Sequence, residues 1–412
     1  MAVVSISIDS IAVGGDGVGR SNGLVVFVPR TAPGDVVTAQ IASKGQFARG
    51  KLADIVSPAV VRIDPPCPHY TRDKCGGCQL QHMTYDAQLS AKQLIIRDSI
   101  QRIGKRIVDA PPVDRSPKDW RYRTKLTLAM RRRGARWIAG LHPYDDPARV
   151  FALADCPITD RRVVAAWREI MEADAHFPDA RELRGSVRIT SGGPTFVMIG
   201  GAKWSASEEF ARAVPSISAI WWQPGGDMPR RLLFDKREDR SPSASFAQVN
   251  AEMAEVMRAY VLERVMSCEP QSVIDAYSGA GHTAIALDGQ GIRVTAIELD
   301  SEASAWAAIR LGTSSRAINA RVEDALPGVL PADVVLLNPP RAGVDKRVTE
   351  TLGAEADHLR GVVYVSCNPA TLARDLARLP SYRIESLRGF DMFPQTAHVE
   401  TVCELRPDRG PA

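Results

Sequence analysis

Two short motifs near the end of the 412-residue sequence carry residue types that do covalent chemistry. Ser366-Cys367-Asn368-Pro369 follows a strand-like apolar run, Gly361–Val365, and leads into a helical pattern. A thiol at a strand tip beside a helix N-terminus has a lowered pKa, and thiolate is the nucleophilic form. A lone cysteine is more often an inert core residue, so this reading leans on its neighbours. His398-Val399-Glu400 opens a second strand-like run, His398–Leu405. Glutamate there is more often a surface group, but Glu400 is a general-base candidate if it faces the site.

A third motif reads as a cofactor cradle. Val273–Tyr277 is a short strand that enters Ser278-Gly279-Ala280-Gly281-His282, and a helical pattern follows. Glycines let a backbone turn tightly and approach a ligand closely. The next strand, Val294–Ile297, ends at Glu298, where an acid can hold both ribose hydroxyls of a nucleoside. The pattern alone suits a dinucleotide or S-adenosylmethionine. Glu323-Asp324, after a further strand, could face the adenine amine. Asn338-Pro339-Pro340-Arg341 follows the strand Asp333–Leu337. Its prolines hold Asn338 at a strand tip, where open α/β sheets bind ligands. Enzymes that methylate exocyclic amines also use Asn-Pro-Pro, but with an aromatic residue next; Arg341 argues against that chemistry.

Cys67, Cys75 and Cys78 share one loop, with Gly76-Gly77 between the last two, and Cys156 follows much later. Three clustered thiols plus a distant fourth can form a tetrahedral sulfur site for zinc or a [4Fe-4S] cluster. Of the seven cysteines, these take four and Cys367 a fifth; Cys268 and Cys403 are left as packing residues.

The elements that must position these groups fall into three parts. Ser5–Ile8, Leu24–Val28, Asp35–Ile41 and Gly50–Val56 are short strands between turns, which predicts a small barrel over residues 1–60. Residues 61–240 hold the cysteine loop, a helix over 86–104 closed by Gly104, and a middle α/β domain. Residues 241–412 alternate helix and strand, the pattern of a doubly wound α/β domain. No apolar run is long enough for a membrane span, and the N-terminus lacks a secretory pattern, so a cytoplasmic protein with reduced thiols is expected.

Charge is divided unevenly. Residues 1–240 carry 36 basic and 26 acidic groups, and residues 241–412 carry 16 and 22. Arginine makes up 42 of the 52 basic residues. A GC-rich genome would enrich arginine too, but it would not produce the asymmetry. A basic front suits a polyanionic partner.

Taken together, these residues resemble the RNA uracil-5-methyltransferase family over essentially the whole chain. Gly-Asp-Gly-Val-Gly at 15–19 and Val28-Pro29 with Gly34-Asp35 resemble its OB-like TRAM barrel, an RNA-binding module. Cys67, Cys75, Cys78 and Cys156 resemble its [4Fe-4S] ligand set. Trp120-Arg121-Tyr122-Arg123 and the basic strand beyond it resemble its central RNA-binding domain. Phe246-Ala247-Gln248-Val249-Asn250 resembles the lead-in where Gln248 would contact the methyl donor. Ser-Cys-Asn-Pro and His-Val-Glu match the nucleophile and base motifs in order and spacing. Two positions depart: Asn338 stands where many members carry Asp, and His282 where Asn is common. An amide can still read a uracil edge, because it both donates and accepts.

The resemblance implies a class I, Rossmann-like methyltransferase domain behind the barrel and the central domain. It implies S-adenosylmethionine held by Gln248, Tyr277, Gly279, His282, Glu298, Asp324 and Asn338. RNA would be held by Asn338, Arg341, Arg121, Arg123 and Lys125. Cys367 would add to uracil C6, and Glu400 would remove the C5 proton. A barrel combined with a cysteine cluster resembles the 23S ribosomal RNA branch more than the transfer RNA branch. A monomeric enzyme acting on 23S ribosomal RNA is therefore expected. The alternatives are a transfer RNA uracil-5-methyltransferase, an RNA cytosine-5-methyltransferase and a non-catalytic iron–sulfur assembly factor. Cytosine enzymes usually place Pro-Cys in the catalytic domain, whereas Pro66-Cys67 lies in the cysteine loop.

Overall fold

The computed structural model describes residues 2–225, 228–238 and 248–409. The expected junction near Ser241 and the residues Phe246 and Ala247 lie outside them. Five strands close into the N-terminal barrel in the order β1-β2-β3-β5-β4: β1 (Ala2–Ile11), β2 (Gly17–Ser21), β3 (Leu24–Val28), β4 (Val36–Lys44) and β5 (Phe47–Ser57). Alternation turns Ile6, Ile8, Val26, Val28, Val37, Ala39 and Ala48 inward to fill it. The sequence pattern suggests four strands, because the glycines before and within β2 read as a turn. Gly19 is instead a strand residue at a close approach: a Cβ there would sit 2.3 Å from the Ser7 carbonyl oxygen. Buried Asp35 anchors the barrel to the segment after β5. It accepts from the Ala59 amide at 2.8 Å and from the Arg62 guanidinium at 2.8–3.0 Å.

A short strand, β6 (Val113–Asp114), leaves the cysteine-loop region to join the C-terminal sheet. The middle sheet has seven strands in the order β13-β12-β11-β10-β7-β8-β9. They are β7 (Lys125–Arg133), β8 (Arg136–Leu141), β9 (Phe151–Ala152), β10 (Glu182–Thr190), β11 (Gly193–Ile199), β12 (Ala219–Gln223) and β13 (Arg231–Asp235). The helices Arg161–Glu172 and Ser207–Ala213 contribute Val163, Trp167, Ile170 and Phe210 to a core shared with Met130, Val187, Phe196 and Met198.

The C-terminal sheet runs β16-β15-β14-β17-β18-β20-β19-β6. Its strands are β14 (Ser272–Ala276), β15 (Arg293–Glu298), β16 (Arg316–Asn319), β17 (Val334–Leu337), β18 (Gly361–Ser366), β19 (Tyr382–Phe390) and β20 (Glu400–Pro407). The five strands from β16 to β18 are parallel, and β20 inserts antiparallel between β18 and β19. Strand order reverses beside β14, so a crevice opens at the carboxyl ends of β14 and β17. The fold is therefore mixed α/β, with a barrel ahead of two sheets, the last of them largely parallel.

The helix Tyr85–Arg102 belongs with this last sheet, since it packs on the helix Pro369–Ala377 and leads to β6. Gly104 does not take the left-handed cap conformation; Lys105 does, at φ 54°. A Cβ on Gly104 would lie 2.7 Å from the Ile100 carbonyl and 3.1 Å from that of Ala373, so this glycine lets two helices meet. Among the described residues, no helix is long and apolar enough to cross a membrane.

Candidate active site

The cradle forms because β14 is buried from Val273 to Ala276, with Asp275 among its buried residues, and then turns sharply. Tyr277 sits at φ 62°, a conformation an aromatic residue rarely adopts. Gly279 (φ 57°) and Gly281 (φ 74°) continue the turn into the helix His282–Asp288. The two glycines differ in surroundings. A Cβ on Gly281 would stand 2.7 Å from the Ala307 Cβ, whereas one on Gly279 would point into open space. That open side is where a ligand can come against the backbone. Glu298, at the tip of β15, accepts from the Gly279 amide at 2.8 Å and from the Asp300 amide at 2.7 Å. A carboxylate is thus fixed against the turn, as a ribose partner would need to be.

The acidic pair after β16 divides. Asp324 is exposed and bound to Arg347 at 2.8 Å. Glu323 is the partner that turns inward, with 12% of its side chain exposed. Burial raises the Tyr277 phenol pKa, and the charge of Glu323 adds to the effect. Only burial tells the two acids apart, and adjacent residues in a short helix give no such signal. His282 is exposed on the first turn of its helix. Gln248 is half-buried on an extended stretch. Its neighbour Val249 accepts from the Thr124 amide at 2.7 Å, and the Asn250 side chain donates to Ser116 Oγ at 2.9 Å.

The reactive end is built from the two strands beyond the cradle. Every residue of β17 and β18 is buried, so their tips are fixed in depth. Asn338 follows β17 and donates its main-chain amide to the Ala276 carbonyl at 3.2 Å, which ties it to the tip of β14. The loop after it is held by the helix that follows Cys367. Arg374 donates to the Ala342 carbonyl at 2.8 Å, and buried Asp375 accepts from the Val344 amide at 3.0 Å and the Tyr364 hydroxyl at 2.8 Å. This places Arg341 where its charge acts on Cys367.

Cys367 is half-buried and lies one residue past β18. Burial and then the charge of Glu400 push its thiol pKa up, against the pull of Arg341. The sequence pattern predicts the opposite, a thiol lowered by the helix N-terminus. Desolvation and a neighbouring carboxylate outweigh that partial charge here. Glu400 is 3% exposed and opens β20. Burial pushes its pKa up to about 7, again opposed by Arg341. The β18–β20 register pairs Ser366 with Thr401, so the thiol and the carboxyl group flank the end of this strand pair.

The basic candidates of the middle domain separate as well. Arg121 is already engaged: it binds Asp155 at 2.6 and 2.8 Å and the Cys156 carbonyl at 3.0 Å, bracing the Cys156 loop. Arg123 donates to the Lys125 carbonyl at 2.8 Å. Lys125 lies among Arg188, Arg123, Arg230 and Arg184, and burial plus those charges lower its pKa to about 8. Arg184, Arg188 and Arg230, with Arg188 itself buried, add to the positive charge around Lys125 beyond the residues singled out from sequence. The β7–β10 register pairs Arg188 with Lys125 and sets Arg184 on the same strand, opposite Ala129.

Cys67, Cys75, Cys78 and Cys156 are all buried. Cys67, Cys78 and Cys156 share one core with Tyr70 and Tyr122. Burial pushes the Cys75 thiol up to about 11 and also raises Cys78 and Cys156, with the other thiols of the set adding to each shift. The Gly77 amide donates to Cys75 Sγ at 3.4 Å. Among the described residues, no three His, Cys, Asp or Glu side chains converge at the spacing of a single bound ion. The four thiols are thus neighbours without being a closed single-ion site. A zinc tetrahedron would need sulfur atoms about 3.8 Å apart.

The family model described as tRNA (Uracil-5-)-methyltransferase matches residues 313–406. The uncharacterized RNA methyltransferase tlr0942 of Thermosynechococcus vestitus is 30% identical over 98% of this chain and 98% of its own length. The uncharacterized RNA methyltransferase gll3134 of Gloeobacter violaceus is 32% identical over 98% and 96%. The Pyrococcus abyssi tRNA (uracil-54, C5)-methyltransferase, solved with S-adenosyl-L-homocysteine, is 24% identical. It superposes with a TM-score of 0.73 over 98% of this chain and 100% of its own.

Proposed function

The chain belongs to the RNA uracil-5-methyltransferase family, and from that premise we propose that it methylates C5 of a uridine in 23S ribosomal RNA, with Cys367 as nucleophile and Glu400 as base. One observation carries the reading: a thiol and a buried carboxyl group flank the end of a registered strand pair beside a glycine cradle, with the charge of Arg341 acting on both.

Uracil C5 is a weak nucleophile. Addition of the Cys367 thiolate to C6 converts the C5=C6 double bond to an enolate, with charge on C5 and O4. Arg341 offsets that charge, and the Asn338 amide holds the uracil edge. S-adenosylmethionine, when bound, supplies an electrophilic methyl group; the open side of Gly279 and the fixed carboxylate of Glu298 fit it. Gln248, Tyr277 and Glu323 would complete its site. Glu400 then takes the C5 proton, the C5=C6 bond re-forms and Cys367 leaves. The target base must leave its stack, which costs least in an RNA loop.

The cysteine set would hold a [4Fe-4S] cluster. Its four thiols, burial and amide–sulfur contact suit one, and a cluster holds its ligands farther apart than a single ion does. Methyl transfer by this route needs no electron, so the cluster's part would be structural. The barrel, Lys125 and the arginines around it would supply phosphate contacts.

A transfer RNA substrate is the second reading. The likeness to the Pyrococcus abyssi enzyme spans both chains from end to end, so the barrel alone does not choose between RNAs. The test is to incubate the protein and labelled S-adenosylmethionine with unmodified 23S ribosomal RNA and, separately, unmodified transfer RNA, and to map 5-methyluridine. Label in 23S RNA alone supports the proposal, and label in transfer RNA alone replaces it. No label in either RNA removes both readings.

A further inference from the structure

The segment Asp391–Ala397 joins β19 to β20 and ends three residues before Glu400. It has no strand partner, yet six of its seven residues are buried. Buried backbone must find hydrogen bonds somewhere, and here they lead to the cysteine loop. The Gln395 carbonyl accepts from the amides of Gln79 at 3.1 Å and Leu80 at 3.0 Å, directly after Cys78. Its amide and side-chain oxygen pair reciprocally with the Gln88 side chain at 3.0 Å each. The Gln79 side chain spans from the Gly76 carbonyl at 3.0 Å to the Ala397 amide at 3.4 Å. Tyr122, packed in one core with Cys67, Cys78 and Cys156, donates to the Pro394 carbonyl at 3.0 Å. Gln395 itself sits at φ 70°, a strained position for a side-chain-bearing residue.

We infer that Gln395 is a positioning residue: through it and Gln79, the loop carrying Cys75 and Cys78 sets the approach of Glu400 to the C5 proton. The inference rests on Glu400 being the base, as proposed above. It gives the cysteine loop a part in one step of the reaction, proton removal and release, and none in adduct formation by Cys367.

The test is single turnover of the full chain on substrate RNA, following the methylated covalent intermediate on denaturing gels. Gln395→Asn tolerates the left-handed backbone and keeps the main-chain bonds to the cysteine loop, but its shorter side chain gives up the bonds to Gln88 and Asp119 that hold the segment. We expect the intermediate to form at the wild-type rate and to release about 10- to 100-fold more slowly. KM for RNA should be unchanged, and the pH midpoint of release displaced. Gln79→Ala removes the side-chain link from Gly76 to Ala397 while keeping the main-chain bonds of Gln395, and the same slow release is expected of it. Equal slowing of formation and release, or release unchanged with its midpoint fixed, would overturn the inference. Wild-type release by Glu400→Gln would instead strike at the proposed base.

Discussion

Cys367 and Glu400 flank the end of one strand pair: pairing of β18 with β20 ends at Ser366 opposite Thr401, the thiol follows Ser366 and the carboxylic acid precedes Thr401. Burial raises the pKa of both, and the charge of Glu400 raises Cys367 further. The resting site therefore favours neutral groups. The charge of Arg341 opposes both shifts and so favours the anionic form of each group.

Proton removal should follow the ionisation of Glu400. The release rate is expected to rise with pH through a midpoint near 7 and then level off. Adduct formation should keep rising above that midpoint, because the thiol titrates higher than usual. Single-turnover rates between about pH 5 and pH 9 check this. A release rate independent of pH would remove Glu400 from the step.

The same shift has a stability consequence. The folded state holds the Glu400 proton up to about pH 7, whereas the unfolded chain loses it near 4.5. Stability therefore falls as pH rises between those values, by an amount on the order of 3 kcal/mol. Glu400→Gln removes the loss. It should match wild type at about pH 4 and exceed it at about pH 8 in urea melts. A variant less stable than wild type at the higher pH would contradict the assignment.

The two cradle glycines should respond differently to alanine. Gly281→Ala combines a left-handed backbone with a 2.7 Å approach to Ala307 Cβ, so a cost of about 2–5 kcal/mol is expected. Gly279→Ala carries the backbone strain alone, about 1–2 kcal/mol, but its methyl group enters the space offered to the cofactor. Melting curves should separate the two, and calorimetry with S-adenosylmethionine should show weakened binding by Gly279→Ala. Unchanged binding would move the cofactor elsewhere.

Lys92 and Asp391 form a fully buried ion pair, 2.5 Å apart, at the start of the segment that leads to Glu400. Lys92→Met leaves a buried carboxylate without its cation, which costs about 3–5 kcal/mol. Replacing both by apolar residues should recover most of that in denaturant melts. No recovery in the double variant would show that the pair is not coupled.

Much of this was legible in the sequence, because local patterns encode it. Strand β14 entering a glycine turn, Glu298 one strand later, and the thiol after β18 each announce a strand tip. The barrel lost one strand to its own glycines. What stayed hidden depends on distant packing. Neither the inward turn of Glu323, the capture of Arg121 by Asp155, nor the raised Cys367 pKa leaves a mark in nearby residues. The link from Gln79 to Ala397 joins residues more than 300 positions apart, and no spacing rule reaches that far.

The covalent step is the centre of the mechanism, and one measurement bears on it most directly. RNA carrying 5-fluorouridine at the target position cannot lose its C5 substituent as a proton, so the methylated adduct should accumulate. Mass spectrometry of wild-type protein with that RNA and S-adenosylmethionine is predicted to find a methylated RNA adduct on the peptide containing Cys367. Cys367→Ala is predicted to give none. An adduct of undiminished yield in Cys367→Ala, or one mapped to another residue, would contradict the assignment of Cys367 as the nucleophile.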